Sequence, residues 1–151
     1  MSDEAYVCDA IELAEQSVEN GNNPFGSLLV VDGTVRKRSE NTVVSDDDIT
    51  AHPELKLARW AASELDAEEL ADCTMYTSTE PCEMCATAIH YAGLDRVVFS
   101  VSTGALADLR GRGHSGFTCQ EIIDEKGGSI TVEGPVLEEE GLDVHREFYG
   151  E

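Results

Sequence analysis

Residues Tyr76 to Ala92, YTSTEPCEMCATAIHYA, restrict this chain more than any other stretch. A β-prone run, Thr74 to Ser78, feeds an alanine-rich segment that reads as a helix stopped by Gly93. Pro81 suits the first helical position, where a missing N–H is not needed. Cys82 and Cys85 then stand at i and i+3 in the first turn, on one face and at the positive end of the helix dipole, which favours thiolates. Two thiolates so placed can share one metal ion. They need further ligands, and upstream stands His52-Pro53-Glu54.

The remaining periodicity frames these two motifs. Val7, Ala10, Ile11, Ala14 and Val18 predict a helix over 3–20 with Gly21 as its stop. Ser27 to Val31 and Thr34 to Arg38 flank Asp32-Gly33, a strong hairpin signal, and the unbroken apolar run of the first strand predicts cover on both faces. Thr50 is the expected cap of a helix from His52 to about Leu65, with Leu55, Ala58, Ala62 and Leu65 inward and Ser45 to Asp48 as a solvated acidic loop. Arg96 to Val101 is a further strand. Gly104 to Gly116, with Arg110, Arg112 and His114, reads as a loop. Strand is expected around Ile122 and at Ile130 to Val132, and a last helix at Glu138 to Phe148. Alternation of this kind predicts an α/β sandwich with helices on both faces of the sheet.

The 151 residues suit a single domain, 1–151. No apolar run approaches the ~20 residues of a membrane span, and Asp3 and Glu4 do not make a signal peptide, so a cytoplasmic protein is expected. Five cysteines without a secretory signal predict reduced thiols. Against 31 acidic residues stand 10 basic ones, a formal charge of −21. Such charge strains a compact chain by self-repulsion, which molar salt screens over roughly 3 Å; a halophilic protein is expected. A 41% hydrophobic fraction in periodic segments argues against disorder.

His52, Cys82 and Cys85 supply three ligands of the type that catalytic zinc sites use, leaving a fourth position to water. Zinc lowers the pKa of such a water from near 16 towards about 7 and yields a hydroxide nucleophile. Glu54 can then shuttle the proton. Two other classes compete for parts of the pattern. A thioredoxin-like redox protein also begins a helix with Cys-x-x-Cys, but leaves His52-Pro53-Glu54 unexplained. A structural zinc module would close the site with Cys73, Cys119, His90 or His114, none of which has a paired ligand spacing. Cys8, Cys73 and Cys119 read as small apolar residues.

His-x-Glu followed by Pro-Cys-x-x-Cys is the zinc deaminase signature. With Asn23-Pro24-Phe25-Gly26 and Asn41, the chain resembles the cytidine deaminase-like superfamily over roughly residues 5 to 101, in the branch of guanine, cytosine and tRNA adenosine deaminases. The resemblance implies a three-layer α/β/α sandwich with a mixed sheet of about five strands, and hydrolytic deamination of a nucleobase or nucleoside. One zinc per chain would sit on His52, Cys82 and Cys85, with Glu54 as the proton shuttle. By the same resemblance Asn41 hydrogen-bonds the base or ribose, Phe25 and Gly26 line the pocket, and a neighbouring subunit of a homodimer shapes substrate choice. Pro53 departs from the alanine usual in this branch, which leaves the subfamily open. Arg36-Lys37-Arg38 and the Arg110/Arg112 pair are the concentrated positive charge, too little for a nucleic-acid track against 31 carboxylates. A small free base, guanine or cytosine, or a nucleoside is therefore expected over tRNA.

Overall fold

The structure, a computed structural model, describes residues 1–113 and 116–150; expectations resting on His114 lie outside them. The first helix, α1, spans Asp3–Glu19, capped by the Ser2 hydroxyl on Ala5 N–H. Two strands come next, β1 (Gly26–Val31) and β2 (Thr34–Glu40), joined by Asp32 and Gly33, both at positive φ as the tight hairpin requires. Every residue of β1 is buried. In β2, an edge strand, Arg36 pairs with Glu69 at 2.6 Å and Lys37 lies 5.8 Å from the Trp60 ring, so two of its three basic side chains are engaged within the chain.

The short helix α2 (Val43–Asp46) falls where a loop was expected. Asn22 anchors it, its amide oxygen accepting from Ser45 N–H at 2.9 Å and its amide nitrogen donating to Ser45 Oγ at 2.8 Å. Beyond it lie α3 (Pro53–Glu64), α4 (Ala67–Leu70), β3 (Cys73–Thr79) and α5 (Glu83–Ala92), closed by Gly93 in the left-handed conformation. The chain continues with β4 (Arg96–Val101), α6 (Thr103–Leu109), α7 (Cys119–Glu125), β5 (Thr131–Glu133) and α8 (Glu138–Tyr149).

The sheet order is β2-β1-β3-β4-β5, with β1 antiparallel to β2 and β3, and β3, β4 and β5 mutually parallel. One face buries Leu29, Met75 and Val97 against Leu57 and Ala61 of α3, Ile89 of α5 and Ile123 of α7. The other buries Leu28, Val30 and Val98 against Tyr6, Val7 and Ala10 of α1, with Val144 of α8 at its margin. This is the expected three-layer sandwich with a five-stranded mixed sheet. Between the layers Arg96 on β4 binds Asp3 of α1 at 2.6 Å and Glu133 of β5 at 2.8 Å.

Several local expectations are corrected. Thr50 does not cap α3; its hydroxyl donates to Asp48, and His52 itself is the cap residue. The inward stripe of α3 is Glu54, Leu57, Ala58 and Ala61, at i, i+3, i+4 and i+7, while Ala62 is exposed: the face that packs on the sheet is centred one residue earlier than the apolar spacing suggests. Pro81 precedes α5 instead of opening it, which makes Cys82 the cap residue. Gly104 lies inside α6, where the Ser102 hydroxyl accepts from Ala105 N–H. The segment around Ile122 is helical, opened by a reciprocal cap between Thr118 and Glu121.

Candidate metal centre and active site

Two helix starts meet at the carboxyl end of β3. The residue before a proline avoids helical backbone, and His52 accordingly has φ −78° and ψ 142° ahead of Pro53. Its approach is fixed by Thr42 N–H donating to Ala51 O at 3.1 Å and by Lys56 Nζ donating to Glu40 O at 2.8 Å and Thr42 Oγ1 at 2.7 Å. From the other start, Cys82 Sγ stands 3.6 Å and Cys85 Sγ 3.5 Å from His52 Nδ1. All three donor atoms lie within 4.8 Å of one another, and among the described residues no fourth His, Cys, Asp or Glu donor joins them.

The electrostatics suit a cation. The Cys85 thiol donates to Cys82 and, with His52, holds the Cys82 thiol down at about 4, so one thiolate is readily available. That same bond and burial push Cys85 up, while the bond with Cys82 raises His52. Two thiol sulfurs and an imidazole nitrogen are a borderline-soft set that matches Zn²⁺, and the open fourth side matches a catalytic site more than a structural one. Glu54, one residue inside α3, is 4% exposed, and its Oε1 is buried with no hydrogen-bond partner. Burial pushes its carboxyl up to about 7.

A cavity of about 290 Å³ opens in front of these groups. Its inner end is His52, Glu54 and Cys82, with Phe25, Thr79 and Glu80 as walls; Thr103, Leu106 and Ala107 of α6 cover it, and Arg110, Arg112 and Gly113 rim it. Of the three residues assigned to the pocket by resemblance, Phe25 alone is in this lining. Gly26 lies behind the wall: a Cβ there would meet Ala14 N at 2.6 Å and Ala10 O at 2.7 Å, so it is the point where β1 passes against α1. Asn41 is buried outside the lining, its N–H donating to Phe25 O and its Oδ1 accepting from Val43 N–H, both at 3.0 Å.

Sequence reasoning did not foresee Thr79, Glu80 or the α6 cover. Glu80 is 7% exposed; its Oε1 accepts from Thr103 N–H at 3.0 Å and its Oε2 from Cys119 N–H at 2.8 Å, so one carboxylate joins the cysteine turn to α6 and α7. The Ser102 cap signal was present, but Gly104 masked it.

Residues 1–101 match the family described as the cytidine and deoxycytidylate deaminase zinc-binding region. The chain is 32% identical over 153 residues to a probable cytosine deaminase of Schizosaccharomyces pombe, covering 97% of this chain and 92% of that one. It is also 32% identical over 144 residues to a tRNA-specific adenosine deaminase of Agrobacterium fabrum, covering 94% and 90%. A solved guanine deaminase from Nitrosomonas europaea superposes with a TM-score of 0.81 over 99% of this chain and 85% of its own, at 21% identity, a likeness of fold. Because the match spans both metal motifs and the relatives align along nearly the whole chain, the protein belongs to the cytidine and deoxycytidylate deaminase family of zinc-dependent hydrolases.

Proposed function

We propose that this chain hydrolytically deaminates a free nucleobase of the guanine or cytosine type, or a small nucleoside, replacing an exocyclic amine by oxygen and releasing ammonia. The observation that carries this is a three-donor cluster with an open side, next to a buried carboxylate oxygen that has no protein partner. On this reading His52, Cys82 and Cys85 hold one zinc per chain. Held there, zinc would supply the Lewis acidity that lowers the pKa of a water towards about 7.

Glu54 does the proton work. Its Oε1 takes one proton from the attacking water and passes it to the ring nitrogen of the base, then takes the second from the hydroxyl left on the ring carbon and passes it to the amine, which departs as ammonia. A carboxyl at about 7 is matched to both directions near neutral pH. Phe25 offers the base an apolar face, while Asn41 and Gly26 set the position of that wall from behind. The cavity lies at the small end of ligand pockets, roughly 300–1,000 Å³, and suits one enclosed base. By family resemblance we assign a homodimer, and we keep the cytoplasmic setting expected from the sequence. No described helix is long and apolar enough to cross a membrane.

A second reading, adenosine deamination in tRNA, is favoured by Arg110 and Arg112 at the rim, neither in an ion pair with a described carboxylate. Ammonia release from guanine, cytosine and cytidine, set beside an adenosine-34 anticodon stem-loop at 2 M KCl, separates the two. We expect turnover of a small substrate. Inosine in the stem-loop with no ammonia from the others overturns the first reading in favour of the second.

A further inference from the structure

We propose that Thr79 is a substrate-binding residue whose hydroxyl proton is presented to an acceptor atom of the base, and that His145 is the positioning residue that fixes the hydroxyl in that sense. The inference deepens the deaminase reading, since it takes the cavity as the substrate pocket. His145 sits on α8, outside the cavity lining, and is 1% exposed. Its Nε2 lies 2.8 Å from Thr79 Oγ1, and its Nδ1 is buried without a partner. The ring is held by Phe25, centroids 5.4 Å apart, and by Tyr149, stacked at 6.1 Å and 12°.

The orphan nitrogen decides the direction of the bond. A neutral imidazole carries one N–H and one lone pair. If Nδ1 held the proton, an N–H donor would be stranded in the core, a rare and costly arrangement. If Nε2 holds it, only a lone pair is left unfilled. A charged ring would strand the Nδ1 N–H as well as bury a cation; burial first, then the Arg110 guanidinium, push His145 down to about 4 and keep it neutral. Nε2–H therefore donates to Thr79 Oγ1.

Thr79 is left with one hydroxyl proton and, among the described residues, no protein acceptor for it. Its carbonyl is already used, accepting from Thr77 Oγ1 at 3.1 Å. Thr79 lines the cavity, so the proton points to whatever occupies it. The ligand class is a base with an unprotonated ring nitrogen or carbonyl oxygen on that side. The ring buried behind the wall thus leaves the hydroxyl proton free for the cavity: a base with an acceptor atom at this wall gains a bond that an unprotonated Nε2 would have taken from it.

The zinc-loaded full chain allows two independent tests. Long-range ¹H–¹⁵N correlation of His145 at pH 7.5 is expected to show the Nε2–H tautomer. The Nδ1–H tautomer overturns the proposal whatever the enzyme turns over. With guanine, cytosine and cytidine as probes, Thr79→Val should raise KM for the accepted probe by about 3- to 12-fold, the range of one net hydrogen bond, with kcat little moved. Thr79→Ser should restore it. His145→Phe keeps the ring packing and should raise KM in the Thr79 background but add nothing to Thr79→Val. An unchanged KM in Thr79→Val, or additive losses in the double variant, overturns the proposal. If wild type turns over none of the probes the free-base and nucleoside reading fails, and the tautomer still decides this one.

Discussion

At the scale of single residues, Pro53 orders the site from outside it. It holds His52 extended as the cap of α3 and sits at the first helical position, with Glu54 next to it facing inward. Cys82→Ala and Cys85→Ala are each expected to lose tightly held zinc, measured by elemental analysis of the purified chain; full occupancy in both would refute the ligand set. Glu54→Gln keeps size but cannot carry the proton, so zinc should persist while kcat on the accepted substrate falls about 100-fold or more. These residues were legible in the sequence because ligand chemistry fixes both residue types and spacing. Thr79 and His145 were not, since their relation spans 66 positions and arises only when α8 docks behind β3.

At the scale of elements, reading succeeded where periodicity was long and failed where helices were short. The register of α1, β1 and β4 followed from apolar spacing. The seven-residue helices α6 and α7 gave too few turns to show a period, and Gly104 and Ile122 suggested loop and strand instead. Gly26→Ala tests how tightly α1 lies on β1: its Cβ would strike helix backbone, so a loss of about 1–3 kcal/mol is expected, read as a lower Tm with zinc binding retained. The anchoring of α8 has its own pH signature. Unfolded His145 titrates near 6.5 and folded His145 at about 4, so the unfolded chain takes the proton first. Its contribution is complete above pH 6.5 and drains as pH falls towards 4. Wild type should lose more Tm between pH 7 and pH 5 than His145→Phe; equal losses would mean the ring does not stay neutral in the fold.

At the scale of the whole molecule, charge sets the working conditions. The five ion pairs among the described residues involve only Arg36, Arg96 and Arg146, and exposed pairs are worth about 0–1 kcal/mol each. A formal −21 spread over 151 residues outweighs them, so screening should stabilise more than it weakens. Between 0.1 M and 2 M KCl the Debye length falls from about 10 Å to below about 3 Å, and Tm should rise clearly; a flat response would remove the case for a protein built for salt. The bond pattern of Glu80 bears on how such a molecule can change over time. The family match stops at residue 101, one position before the cap of α6, and Glu80 fastens the last third of the chain through backbone N–H groups of Thr103 and Cys119. Every residue except proline supplies such a group. The buried Ile123 and His145 still constrain that third, but its tie to the cysteine turn is indifferent to which side chains stand at 103 and 119, so substitution at either position keeps the fastening.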